Sequence, residues 1–156
     1  NSKLFESAGL PTFVQDNFSK SAKGVFRGLH WQSGKSAQAK LVTCLAGRID
    51  DYVVDIRPSS PTFGSSLRVT LDGDFSQFLW VPSGFAHGFH SLEDESIVFY
   101  KVDRFWSKEH EHSINPLDPN LGLEGIGESV LLSGKDAGSP NLQSLYTSHP
   151  EAFEFS

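Results

Sequence analysis

Eight short runs rich in β-branched and aromatic residues, each cut off by Gly, Pro or Ser, constrain this chain more than any other feature. The runs cover residues 13–16, 24–31, 39–45, 48–56, 65–71, 76–81, 86–91 and 95–105. Breaks such as 32–36, 57–64 and 82–84 lie between them, and Leu71-Asp72-Gly73-Asp74 reads as a turn. Asp51, Val53, Asp55 and Arg57 alternate with Tyr52, Val54 and Ile56, the period-two pattern of a strand with one buried face. Strands this short and this regular predict an all-β barrel, sandwich or jelly roll. Helix is scarce: one or two turns over 2–9 and a short turn over 107–113, with a Gly- and Pro-punctuated tail from Asn115 onward. No repeat or linker divides the 156 residues, so one domain over 1–156 is expected.

Composition narrows the partners. A formal net charge of −6 argues against general binding of nucleic acid or an anionic membrane, which need a basic surface. No run is long and apolar enough for a membrane helix and no signal-peptide pattern is present, so a cytoplasmic protein is expected. Cys44 is the one cysteine and sits in an apolar run, as a buried small side chain does. The chain starts at Asn1 and has no Met, so residues upstream are expected to be missing.

Four clusters carry groups able to do chemistry. The first is Arg27-Gly28-Leu29-His30-Trp31-Gln32, followed by Lys40 on the next strand. Strand alternation places Gly28, His30 and Gln32 on one face and Arg27, Leu29 and Trp31 on the other unless the barrel twists sharply. Gly28 removes bulk where something must approach the backbone. The second is the turn Pro82-Ser83-Gly84 leading to His87, and the third a strand through Tyr100 toward Trp106. The fourth, Ser133-Gly134-Lys135-Asp136, looks like an exposed polar loop. Each has a plain structural alternative: a strand histidine is usually a satisfied core or surface group, and Tyr100 and Trp106 could be core aromatics.

Two histidines on facing strands also suggest a metal-binding cupin. Such proteins pair His-x-His with a nearby glutamate and a later histidine. Here Gln32 replaces the second histidine, and Lys35 and Lys40 occupy the stretch where the carboxylate belongs. A lysine repels a divalent cation, and two histidines alone hold one poorly. His110-Glu111-His112 reads as a polar face. No metal is expected.

Taken in order, the residues resemble the dTDP-4-dehydrorhamnose 3,5-epimerase family. The match comprises Phe13-Val14-Gln15-Asp16-Asn17, Arg27-Gly28-Leu29-His30, Lys40-Leu41-Val42, Asp55-Ile56-Arg57, Ser60-Pro61-Thr62-Phe63-Gly64, Trp80-Val81-Pro82, Gly84-Phe85-Ala86-His87-Gly88-Phe89, Tyr100-Lys101 and Lys135-Asp136-Ala137. It spans about residues 13–140 and is specific as an ordered set. The resemblance implies a cupin-like jelly-roll β-barrel with few short helices, working as a homodimer on a dTDP-4-keto-6-deoxy sugar without a cofactor. It also implies His30 as general base with Asp136 orienting it, Tyr100 as acid on the opposite ring face, and Lys40 beside the enolate oxygen. Gln15, Asn17, Arg27, His87, Glu111 and Lys135 match positions that contact the sugar nucleotide. Trp106 stands where the family usually has a tyrosine stacked on the thymine ring. The family's upstream Arg and Glu have no counterpart, and 115–127 lacks the usual Trp-Pro pattern.

The chemistry suits these groups on its own terms. A 4-keto sugar is acidic at C3 and C5 because its carbonyl can take up charge as an enolate. Inversion needs a base on one face, an acid on the other and a cation near the oxyanion. An epimerase acting at one centre, or a cupin that binds a sugar nucleotide without turning it over, are the other readings. The acid–base set argues against the latter, since binding alone needs neither.

Overall fold

The computed structural model describes residues 2–127 and 129–155. After a short helix α1 (Ser2–Ser7) come the strands β1 (Gln15–Ser21), β2 (Phe26–Gln32), β3 (Lys40–Ala46), β4 (Arg48–Asp55) and β5 (Ser66–Asp72). Then follow β6 (Leu79–Val81), β7 (Phe85–Ser91), β8 (Ser96–Val102) and β9 (Glu111–Ser113), and in the tail α2 (Gly134–Ala137) and α3 (Leu142–Ser148). The strands form two antiparallel sheets, one in the order β1-β8-β3-β6 and one in the order β5-β4-β7-β2-β9. This is the expected jelly roll. No helix among the described residues is long and apolar enough to cross a membrane.

Two apolar layers hold it together. Between the sheets, Val42, Val81 and Val98 of one meet Ile49, Val53, Leu71 and Phe89 of the other. Behind the five-stranded sheet, Phe26, Trp31, Tyr52, Val54 and Ile56 pack against Ile114, Leu121, Leu142, Leu145 and Phe153 of the tail. The Trp31 indole N–H donates to the Ala152 carbonyl at 2.8 Å, fixing the tail on the sheet. Each fully buried Leu or Phe in this layer contributes about 1.5–3 kcal/mol. The tail therefore does what a third layer would, and β4 is buried on both faces where one buried face was expected. Tyr52, Val54 and Ile56 point to the tail, and Ile49, Asp51 and Val53 point between the sheets.

Several boundaries differ from the sequence reading. The first strand is β1 and not 13–16, because Gln15, Asn17 and Ser19 turn a polar edge toward a cavity and leave no apolar period. The sixth run contracts to β6, and the eighth ends at Val102, which leaves Trp106 on a loop. Residues expected as one helical turn over 107–113 split into a 3-10 turn at Lys108–His110 and strand β9, which pairs with β2 through Gln32↔Glu111. The tail holds two helices that its glycines and prolines had concealed.

Gly28 carries a local constraint. Its φ is +121°, and a Cβ there would lie 2.6 Å from Gly88 Cα. A Cβ on Gly88 would in turn lie 2.7 Å from the Arg27 carbonyl oxygen. The approach anticipated at Gly28 is thus strand against strand, and a side chain at either position would force β2 and β7 apart. The β2–β7 register also shifts between Arg27 and His30. That shift puts Arg27 and His30 on the same cavity, although simple alternation separates them.

Candidate active site

A cavity of about 390 Å³ opens between the sheets. The four-stranded sheet contributes Gln15 and Asn17 from β1, Lys40 from β3 and Tyr100 from β8. The five-stranded sheet contributes Arg27 and His30 from β2, His87 from β7 and Glu111 from β9. Trp106 on its loop and Lys135 and Asp136 on α2 complete the wall. All eleven residues singled out from the sequence therefore meet in one place. Asn17 and Tyr100 are cross-strand partners, as are His30 and His87, so each sheet presents its polar groups side by side.

His30 Nε2 lies 2.6 Å from Asp136 Oδ1. The carboxylate is nearly inaccessible, although Ser133, Gly134 and Lys135 of the same segment are exposed as expected, and the segment is a helical turn rather than a loop. Its second oxygen accepts from Ser133 Oγ at 2.9 Å, and Ser133 Oγ accepts from the Asp136 N–H, capping α2. Burial pulls the Asp136 carboxyl upward, but the His30 bond and charge and the Ser133 hydroxyl hold it below its usual value. With Nε2 committed to Asp136, Nδ1 is the ring nitrogen left for a ligand.

Across the cavity the rings of His87 and Tyr100 stand 6.5 Å apart, centroid to centroid. Burial pushes the Tyr100 phenol up, helped by the Glu111 charge and opposed by Arg27. The phenol is thereby kept protonated at neutral pH, as an acid must be. Lys40 reaches from one sheet to the other, donating from Nζ to the His30 carbonyl at 3.1 Å. Burial brings its pKa from 10.5 down to about 8, while the charges of Asp51 and Glu111 pull the other way.

The mouth is organised by pairs. Glu111 accepts from Lys135 Nζ at 2.7 Å. Burial raises its carboxyl, but Lys135 above all, then His30 and the Trp106 side chain, bring it below its usual value. The Trp106 backbone N–H donates to Gln15 Oε1 at 3.0 Å, and Gln15 Nε2 donates to Asn17 Oδ1 at 2.8 Å. The Trp106 side chain is 51% exposed, which removes its reading as a core aromatic. Arg27 Nε donates to Ser21 Oγ at 2.9 Å, fixing the guanidinium at the rim.

Sequence reasoning missed Asp51, and named Ser133 in the fourth cluster without giving it a role. Asp51 is fully buried and accepts from His87 Nε2 at 2.9 Å. It was counted as one member of an alternating strand; its place on the same face as Val53 is the signal that it points inward. Among the described residues, no three His, Cys, Asp or Glu are grouped so that they could hold a metal ion, and Lys40 occupies the cavity with its own charge.

A jelly roll with an imidazole on one sheet, paired to a carboxylate on the adjoining helix, and a phenol on the other sheet has the groups an epimerase needs on two sides of a sugar ring. The comparisons give the particular family. The family model for dTDP-4-dehydrorhamnose 3,5-epimerase matches residues 1–144, and the chain belongs to that family. The dTDP-4-dehydrorhamnose 3,5-epimerase of Shigella flexneri is 49% identical over 138 residues, covering 87% of this chain and 76% of the relative. The dTDP-6-deoxy-D-glucose-3,5-epimerase of Legionella pneumophila, solved in complex with dTDP-4-keto-L-rhamnose, superposes with a TM-score of 0.91 at 43% identity. It covers 100% of this chain, which matches 82% of it. The 3'-monoepimerase ChmJ of Streptomyces bikiniensis, solved with dTDP-quinovose, gives 0.83 at 32% identity, over 94% of this chain and 75% of its own.

Proposed function

We propose that this protein is a dTDP-4-dehydrorhamnose 3,5-epimerase, inverting C3 and C5 of a dTDP-4-keto-6-deoxyhexose in dTDP-rhamnose or related deoxysugar biosynthesis. One observation carries the assignment of roles: His30, paired with Asp136 of α2, and Tyr100 come from opposing sheets of one cavity, with Lys40 reaching between them. A ring lying between the sheets then has a base on one face and an acid on the other. His30 Nδ1 takes the proton from C3 or C5, the electron pair moves onto the C4 carbonyl oxygen, and the Lys40 ammonium stabilises that oxyanion. Tyr100 returns a proton to the opposite face of the same carbon, and the carbonyl re-forms. His30 and Tyr100 then exchange their protons with solvent before the second centre reacts.

The remaining groups hold the nucleotide. Arg27 and Lys135 supply positive charge for a diphosphate, Gln15, Asn17, His87 and Glu111 supply hydrogen bonds, and Trp106 offers an exposed indole face for the base. Phe18 on β1, Leu45 on β3 and Phe78 just before β6 are largely exposed, and these apolar side chains support a homodimer.

The test is proton–deuterium exchange at C3 and C5 of dTDP-4-keto-6-deoxyglucose in deuterated buffer, followed by NMR. Exchange at both positions with inversion supports the reading. Exchange at one alone makes the protein a single-centre epimerase, and binding without exchange makes it a non-catalytic cupin. Sedimentation at micromolar concentration reads the dimer, and a monomer would refute that part.

A further inference from the structure

The indole of Trp106 is half exposed, so packing alone does not fix it, and its place depends on the backbone that carries it. That backbone, residues 103–107, belongs to no strand or helix. It lies on the crossing from β8 of the four-stranded sheet to β9 of the five-stranded sheet. Backbone N–H and C=O groups outside a ladder need other partners, and glutamine side chains supply them here. Gln32, buried at the end of β2, grips Ser107 twice. Its Oε1 accepts from the Ser107 N–H at 2.9 Å, and its Nε2 donates to the Ser107 carbonyl at 3.1 Å. The preceding N–H, that of Trp106, goes to Gln15 of β1 in the facing sheet at 3.0 Å. Gln38 Nε2 donates to the Arg104 carbonyl at 2.8 Å.

The double bond at Gln32 has a geometric reason. Ser107 is extended, with φ −132° and ψ 122°, so its N–H and C=O point to the same side. A side-chain amide meets both, as a residue of a neighbouring antiparallel strand would. A carboxylate would lack the donor. The residue that stands in place of a metal cupin's second histidine therefore has a use of its own.

We infer that Gln32 is a positioning residue for nucleotide binding: its clamp on Ser107 holds the Trp106 indole where a base can stack, while Gln15 holds the same segment from the other sheet. The inference rests on the reading of Trp106 as the stacking surface proposed above. An indole already in place loses less freedom when dTDP binds, and the difference appears as affinity. The Gln32 amide is spent on the loop, so the chemistry of bound substrate is left to His30, Tyr100 and Lys40.

The experiment compares wild type with Gln32→Met, Trp106→Ala and the double variant. Methionine keeps a flexible side chain of similar length and removes both bonds. In calorimetric titration with dTDP, Gln32→Met should bind roughly tenfold more weakly. KM should rise similarly while kcat holds. In the Trp106→Ala background the same change should add little, because the group it positions is gone. Equal losses in both backgrounds, or a fall in kcat with KM unchanged, would overturn the inference. Fluorine NMR of protein labelled with fluorotryptophan keeps the two readings apart. The Trp106 signal should shift and broaden in Gln32→Met without ligand, and an unmoved signal overturns the clamp. A moved signal in a protein whose dTDP affinity ignores both substitutions would refute Trp106 as the stacking surface, and the clamp would stand. Should Gln32→Met fail to fold, hydrogen exchange of the Ser107 amide in wild type decides: protection supports the clamp, and exchange at the rate of a free peptide overturns it.

Discussion

His30 and Asp136 are 106 residues apart in the chain and 2.6 Å apart in the fold. The imidazole comes from β2, next to the edge strand of the five-stranded sheet, and the carboxylate from a four-residue helix that the tail packs against β2.

That geometry separates two variants. His30→Asn should abolish exchange at C3 and C5 together, because one imidazole serves both positions. Asp136→Asn should cost roughly ten- to thousandfold in kcat, since it orients the ring and does not itself transfer the proton. Deuterium incorporation measured by NMR checks both. Near-normal exchange in His30→Asn would remove the base assignment.

Tyr100→Phe deletes one hydroxyl from the opposite wall. The enolate can still form on the His30 side, so solvent exchange should persist in part while net inversion falls steeply. Equal loss of exchange and inversion would give Tyr100 a shaping role and leave the acid unassigned.

Lys40 ties activity to pH and to stability with opposite consequences. Its ammonium is the useful form, so kcat/KM should fall as pH rises through about 8. For stability, the folded chain binds the proton less tightly than the unfolded chain, whose lysine has the ordinary value of 10.5. The penalty is present in full below about pH 8 and fades as pH climbs from there toward 10.5. At neutral pH it amounts to about 3 kcal/mol. Lys40→Met should therefore be inactive yet more stable by about 1–3 kcal/mol at pH 7, with the gain shrinking toward pH 10. Urea unfolding of both proteins at two pH values measures it, and a less stable Lys40→Met contradicts it.

Trp106 is half exposed at the mouth, held through its backbone by Gln15. If its indole stacks on the base, Trp106→Ala should weaken dTDP binding by roughly ten- to a hundredfold. Exchange in bound substrate should be largely kept, and the melting temperature should move little. Calorimetric titration with dTDP alone reads the affinity, and an unchanged value assigns the stacking surface elsewhere.

The strands that face the apolar layers were legible from the sequence, because alternation or continuous hydrophobicity reports burial. Strands β3, β4, β5 and β7 were placed to within a residue or two. Strand β1 was not, since its inward face is Gln15, Asn17 and Ser19 and lines a polar cavity, so hydropathy carries no period there. The site residues could be picked out one by one, yet not their faces: the register shift after Arg27 and the burial of Asp136 depend on partners far away in the chain. Asp51 was hidden because strand β4 has two buried faces, and a carboxylate on such a strand looks like a solvent-side residue until the opposing sheet is seen packed over its face.

The tail that covers the five-stranded sheet also delivers the carboxylate to His30. A chain cut shortly before Ser133 would keep all nine strands and its Tyr100, but would hold an imidazole without its carboxylate and an apolar sheet stripped of Leu142, Leu145 and Phe153. Catalytic competence and completion of the hydrophobic layer thus arrive in the same event. On the proposed reaction, full turnover therefore needs the tail docked, and kcat also reports on completion of the fold.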